Sequence, residues 1–330
     1  MTPKERMIAA FNFKQQDDIV PFWELEFHLY PEMFSKDLIL GNEYAKLSGK
    51  EKEYALNYNA EFMVEVAEKL GYSAIRMLPG YWEVAPGLGA YIWLPDEESR
   101  IRLVSLLKKI TCGKILIIGD SGWFIGIPDG NSIMNLVDMM YEEPEELKKQ
   151  AEYLLERGTE YGYKVVEAGA DCLLACTDFA FNSGPFMSPE KFDEFVTPYF
   201  FKWVETFKKE GIFTMLHSDG NLMPILDRIV ESGVNALQCI DPIAGMDIIA
   251  LKKQLYGKLC LVGNIDCSLL QFGPVEKIEE SVKNVVENCK EGGGFVLSGC
   301  NVIFKGIPAK HYQVMVDAHK KYGRLGNAKI

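Results

Sequence analysis

Eight short apolar runs, each followed by turn or polar residues and then by a helix-length pattern, leave few folds open to this chain. They occupy residues 20–27, 73–78, 115–119, 171–176, 212–216, 236–240, 259–263 and 295–298. Strand-then-helix alternation specifies a parallel sheet, because parallel strands can be joined only through a crossover. Eight such units close into a barrel. The sequence therefore predicts an α/β fold, a single (β/α)8 TIM barrel with elaborated amino-terminal segments, spanning residues 1–330 as one domain with no Pro-, Gly- or Ser-rich linker.

Several helices announce their ends. At Ser188-Pro189-Glu190 a capping serine, a first-turn proline and an acid precede an apolar face made by Phe192, Phe195, Val196, Tyr199, Phe200, Trp203 and Phe207. Pro198 falls inside that pattern and predicts a bend or local break. Further helical stretches cover 227–231, 246–254 and 275–288, closing near Gly233, Gly257 and Gly292. The amino-terminal third is looser, and its segments 28–72 and 79–114 have the length of lids or binding loops.

Charge narrows the function. With 35 Lys plus Arg against 47 Asp plus Glu, the formal charge is −12, so most of the surface repels a nucleic-acid backbone or an anionic membrane. The amino terminus has no apolar signal core and no apolar run reaches spanning length, which predicts a soluble, cytoplasmic protein. Eight cysteines are scattered without a short-spaced framework or a Cys-x-x-Cys pair, so reduced thiols are expected.

In an α/β barrel the functional side chains lie at the carboxyl ends of the strands, and those positions are polar here. The first run delivers Glu24, Glu26 and His28, the third Asp120-Ser121, the fourth Thr177-Asp178 and the fifth His217-Ser218-Asp219-Gly220-Asn221. The sixth ends in Gln238-Cys239-Ile240-Asp241, the seventh in Asn264-Ile265-Asp266, the eighth in Cys300-Asn301. His217 and Asp219, two residues apart on an extended strand end, share a side and can point at one bound group. Cys300 and Cys239 can add thiolates, giving a zinc-like set of His217, Asp219, Cys300 and Cys239 with an open position. The same residues also fit a hydrogen-bonded loop with cysteines packed as small hydrophobes.

Asp178, beside Phe179 and Phe181, is a candidate general acid, an orienting group or a cap. Asp219 and Glu26 complete the catalytic candidates. Trp23, Glu24, His28, Gln238, Asn264 and Asn301 are the expected substrate contacts, and Phe22, Tyr30, Tyr81, Trp82, Trp123 and Phe124 can wall a pocket. Cys112, Cys172, Cys260 and Cys289 read as structural. Gly292-Gly293-Gly294 precedes a strand instead of following one, so it reads as a helix-ending turn and not a phosphate loop.

Taken in order, several pieces resemble the uroporphyrinogen decarboxylase superfamily, (β/α)8 barrels that include decarboxylases and cobamide-dependent methyltransferases. They are Asp17-Asp18-Ile19-Val20-Pro21, Thr177-Asp178 through Ser188-Pro189-Glu190, His217 through Asn221, Gly263-Asn264-Ile265-Asp266, and 308–323. The resemblance implies, for true decarboxylases, arginines after the first strand; this chain has none there. Its acids would repel a polyanion. The methyltransferase branch is closer, since its zinc-using members place His-x-Cys after the fifth strand and Cys after the eighth. Here His217-Ser218-Asp219 and Cys300 stand at those places, with Asp for the first Cys.

The resemblance thus implies methyl transfer between a small methylated substrate, such as an aromatic methyl ether undergoing O-demethylation, and a corrinoid (cobalamin-type) cofactor on a partner protein, assisted by zinc. It also implies a homodimer. A carboxy-lyase is the alternative and predicts a positively lined pocket with Arg76 or a lysine pointing inward. A non-catalytic tetrapyrrole carrier predicts neither metal nor turnover.

Overall fold

The structure, a computed structural model, describes residues 1–16, 18–79, 94–128, 130 and 132–325. Strands β1 (Ala74–Arg76), β2 (Leu116–Asp120), β3 (Cys172–Cys176), β6 (Phe213–His217), β7 (Ala236–Gln238), β8 (Cys260–Ile265) and β9 (Phe295–Gly299) pair in parallel in that order. The first apolar run supplies the missing eighth position. Trp23 N–H donates to Leu297 O at 3.1 Å on one side, and Ser73 N–H donates to Phe22 O at 2.7 Å on the other. The two ends of the sheet are thereby joined, and the barrel is closed. Strands β4 (Ala180–Phe181) and β5 (Gly184–Pro185) form a small antiparallel hairpin beyond β3 that the sequence did not suggest.

Alternation with period two divides each strand between the barrel interior and the helical layer. Trp23, Leu25, Ala74, Leu116, Ile118, Cys172, Leu174, Met215, Ala236, Cys260, Val262 and Val296 fill the interior. Helix Pro3–Phe11 plugs one end with Met7, Ala10 and Phe11, the last ring lying 5.2 Å from that of Phe213. Lys4 N–H donates to Lys114 O and Gly294 N–H to Ala10 O, both at 2.9 Å and both just before strands begin. The plugged end is therefore the amino-terminal one, and the site must lie at the other.

The helix capped by Ser188, whose Oγ accepts from Lys191 N–H, runs Pro189–Phe195 and breaks at Val196 before Thr197–Lys209. Pro198 occupies the first turn of the second helix, where its missing N–H is harmless. Residues 28–72, expected to be a lid, are instead mostly helical: Tyr30–Phe34, Gly41–Ala45 and the long Gly49–Leu70. The buried face of the last packs on helix Glu97–Ile110, so this segment is barrel wall. Gly292–Gly294 forms a turn, and the Gly293 carbonyl accepts from buried Lys252 at 2.6 Å. Among the described residues no helix is long and apolar enough to cross a membrane.

Two buried titratable groups in this wall set opposite pH slopes. Burial pushes Glu24 up to about 8 against the hydrogen bonds of Gly299, Tyr312 and Ser298, and pushes His319 down to about 4. Glu24 is protonated in the fold where the unfolded chain is not, so its contribution is whole below about 4.5 and lost as pH rises through 8. His319 works the other way: its contribution is whole above about 6.5 and lost as pH falls towards 4. Between 6.5 and 8 only Glu24 acts, and unfolding free energy is expected to fall by about 2 kcal/mol over that range. Between about 4.5 and 6.5 the two slopes oppose and largely cancel, so Glu24→Gln should flatten the fall above 6.5 and unmask a rise between 4.5 and 6.5, measured by urea denaturation at each pH.

Candidate active site

Residues at the inward parity of the last strand turn meet at the open end. Arg76, Asp120, Cys176, His217, Gln238, Asn264 and Ser298 continue the series that fills the interior below them, and pairing sets Cys176, His217 and Gln238 side by side. The apolar core gives way here to a layer of titratable groups.

His217 is buried and its Nδ1 is hydrogen-bonded to Gln238 Oε1. An amide oxygen only accepts, so Nδ1 carries a proton and Nε2 is the ring atom that faces the mouth. It meets Asp219 Oδ1 at 3.6 Å and Asp178 Oδ1 at 3.8 Å. Asp178, His217 and Asp219 offer ligand atoms that all lie within 4.8 Å of one another, the group of this kind found among the described residues. Asp219 is fixed from both sides: its N–H donates to Asp178 Oδ1 at 2.9 Å and its Oδ2 accepts from Asn301. Its Oδ1 is buried without a hydrogen-bond partner. Burial, together with the charge of Asp178, holds the Asp219 carboxyl above its usual range against the pull of His217. Gly220 turns the chain here with φ 82°, and a Cβ would stand 2.4 Å from Ala180 O.

Gln238 was an expected substrate contact, yet it is fully buried, and its Nε2 faces the carbonyls of Gly299 and Cys300 at 3.4 and 3.5 Å. It positions His217 instead. Gln238→Leu is expected to abolish the single Nδ1–H tautomer while Gln238→Glu retains it, read from the imidazole nitrogen chemical shifts.

Across the mouth, Arg76 makes a two-pronged contact with Asp120 at 2.8 and 3.0 Å and reaches Glu26 Oε1 at 3.1 Å. His28 donates to Glu26 Oε2 at 3.0 Å. Burial works against the Glu26 charge, but His28 and Arg76 prevail and hold it below the usual carboxylate range. Arg76 does point inward, as a carboxylate-binding site would require, but its charge is already met by two acids.

Between these loops and the last strands lies a cavity of about 340 Å³ lined by Asp219, Cys239, Asp241, Cys267, Cys300 and Asn301, among others. The sulfurs of Cys300 and Cys267 are in hydrogen-bond contact at 3.8 Å, and the neighbouring Cys239 and Cys267 hold the Cys300 thiol below its usual range while theirs are pushed up. Cys267 escaped the sequence reading, although it follows the seventh strand as Cys300 follows the eighth. Asn264 Nδ2 donates to Ile240 O at 2.8 Å, bracing the turn that carries Cys239. Gly263 leaves room for that turn, since a Cβ there would stand 2.4 Å from Cys239 O.

Other expected contacts are placed elsewhere. Glu24 points into the wall, where Gly299 N–H, Ser298 Oγ and Tyr312 Oη use its oxygens. Trp23 is 1% exposed within the interior core. Phe22 packs on Tyr72 and His319, Tyr30 and Phe124 are buried, and Trp123 stacks on Tyr161 at 5.6 Å. Tyr81 and Trp82 lie outside the described residues. Trp23 and Tyr30 line, with Phe27 and Tyr72, a small cavity of about 50 Å³ that borders Glu26 and Arg76, whereas Phe22, Trp123 and Phe124 do not reach it.

A closed barrel with its ionisable groups gathered at the carboxyl ends of the strands is the layout of a (β/α)8 enzyme. The chain belongs to the uroporphyrinogen decarboxylase (URO-D) family, which it matches over residues 128–322. It is similar to the uroporphyrinogen decarboxylases of Mannheimia succiniciproducens (25% identity, 70% of this chain and 67% of that one) and Aliivibrio salmonicida (27%, 69% and 66%). The chain thus spans about two thirds of the length of these relatives. A structure described as a methyltransferase from Methanosarcina mazei superposes with a TM-score of 0.74 at 19% identity, covering 98% of this chain and 99% of that one.

Proposed function

We propose that this enzyme moves a methyl group between a small methylated substrate and a corrinoid carried by a partner protein, in a reducing cytoplasmic setting suited to its eight free cysteines. The observation that carries this reading is the charge of the mouth. Glu26, Asp120, Asp178, Asp219 and Asp241 surround it, and Arg76, the inward cation among the described residues, is neutralised in place. Such a site repels a polycarboxylate, which disfavours the decarboxylase reading despite the names of the curated relatives. The likeness to the Methanosarcina protein along nearly its full length supports the same choice.

A cation fits the site. The lone pair of His217 Nε2, the orphaned Oδ1 of Asp219 and Asp178 Oδ1 form a nitrogen-and-carboxylate set suited to zinc. Bound there, zinc would act as a Lewis acid towards the heteroatom that carries the methyl group. Asn301 holds Asp219 through its Oδ2 and leaves Oδ1 turned towards His217. The methyl group leaves without its bonding electrons, which stay on the heteroatom, and that atom takes its proton from solvent at the open mouth.

The test incubates the protein with free cob(I)alamin and labelled aromatic methyl ethers, methylamines and methanol, and in reverse with methylcobalamin and thiols. Label appearing in, or leaving, the corrinoid is the expected result. Release of carbon dioxide from a carboxylated tetrapyrrole with no methyl transfer would reverse the assignment.

A further inference from the structure

Strands β8 and β9 end side by side, and each delivers a cysteine to the mouth. Their last register pair is Ile265 with Gly299, and Cys300 N–H donates to Ile265 O at 2.8 Å. Cys267 follows shortly after Ile265 and opens the helix Cys267–Phe272. The two sulfurs lie 3.8 Å apart. A disulfide needs about 2.05 Å between its sulfurs and roughly 4.4–6.8 Å between its Cα atoms. Neighbouring strands run about 4.8 Å apart, so the two chains leave the sheet at a separation that a disulfide spans. Access also sets this pair apart from other thiols. Cys172 and Cys260 are sealed in the barrel interior, and Cys289 is packed in the helical layer. Cys267 and Cys300 instead line the 340 Å³ cavity at the mouth, with Cys267 only half-buried. Through Asn301, the residue after Cys300, the same loop holds Asp219.

We propose that Cys267 and Cys300 are a reversible redox pair that switches the mouth between an open dithiol form and a tied disulfide form. Hydrogen peroxide gives one oxygen to the first sulfur, making a sulfenic acid, and its other oxygen leaves as water. The second sulfur then attacks the first. The S–S bond forms, and the sulfenic oxygen departs with the second thiol's proton as another water. A dithiol reductant restores both thiols by two exchanges and is itself oxidised to a disulfide. Tying helix Cys267–Phe272 to the loop after β9 draws in the cavity wall beside Asp219 and stiffens that loop. The inference rests on the placement of the two sulfurs and not on the methyl-transfer reading.

The test treats reduced protein with hydrogen peroxide, alkylates the remaining thiols and maps the peptides without reduction. A peptide linked through Cys267 and Cys300 is expected in most chains, and dithiothreitol should remove it. Neither Cys267→Ser nor Cys267→Ala, each checked for native circular dichroism, should trap Cys300 in another linkage. The amides of Cys300, Val302 and Ile303 are hydrogen-bonded, and their hydrogen exchange should slow roughly tenfold in the oxidised parent and stay unchanged in both variants. The proposal is overturned if peroxide yields no Cys267–Cys300 link, or if Cys300 pairs with Cys239 instead. A link that forms without slowing exchange would be a cross-link that switches nothing, and the proposal fails on that result too.

Discussion

His217→Ala is expected to release one equivalent of bound zinc and to lower methyl transfer by more than about 100-fold, beyond the 10- to 100-fold that losing an outer partner of a ligand costs. Its Nε2 is the one nitrogen in a set otherwise made of carboxylates, and nothing nearby replaces it. Asp219→Asn should behave similarly, because its buried Oδ1 faces the histidine with no other partner. Cys300→Ala separates two arrangements. A set of His217, Asp219, Cys300 and Cys239 requires that the same equivalent be lost; a set of Asp178, His217 and Asp219 requires that it stay. The distances favour the second, since the carboxylate oxygens approach His217 while the sulfurs gather around Cys300. Elemental analysis of protein purified without chelator, with native circular dichroism as the check on folding, decides between them.

The period of two made much of this site readable before any coordinates. Strand ends in a barrel expose every second residue to one axis, so His217, Gln238 and Asn264 could be placed at the mouth from spacing alone. The same rule misled at Glu24. Glu24 and Glu26 share a parity, but the first run keeps barrel pairing only around Phe22 and bridges again at Phe27, and the alternation is not carried between. Trp23 and Leu25 take the interior, which turns Glu24 outward onto Tyr312. What a residue does at its position was less readable. Gln238 looks like any polar strand end until its amide is seen to be spent on His217 and two carbonyls. Cys267 needed the loop after β8, whose course the local pattern does not specify, to bring it against Cys300. Segment 28–72 hides its main element because helix Gly49–Leu70 has a broad buried face and a weak apolar stripe, which blurs the helical period.

The second large effect lies across the mouth. Arg76→Met is expected to destabilise the fold by about 3–5 kcal/mol, the range seen when one partner of a buried ion pair is removed and the other is left uncompensated. Asp120 and Glu26, on the two strands that flank β1, would then lose the cation between them, with the His28 and His217 rings as the neighbours still able to offset the Glu26 charge. The loss should be pH-dependent. In the native protein His28 and Arg76 hold the Glu26 carboxyl below its usual range, so its contribution is present above about 4.5 and lost only on strong acidification. Without Arg76, burial raises that carboxyl instead, and its contribution is lost as pH rises through the new value. Urea denaturation of Arg76→Met should therefore give a deficit that is smallest near pH 4 and grows towards pH 8. Adding Glu26→Gln and Asp120→Asn, which replace the two charges with amides of the same shape, should restore most of it. An arginine held free to bind a substrate carboxylate predicts the opposite pattern: little change in stability, a raised KM for a carboxylated substrate, and no rescue by neutralising its neighbours. Because the Arg76 guanidinium is already gripped by Asp120 at two points and by Glu26 at a third, the first pattern is the one this geometry requires.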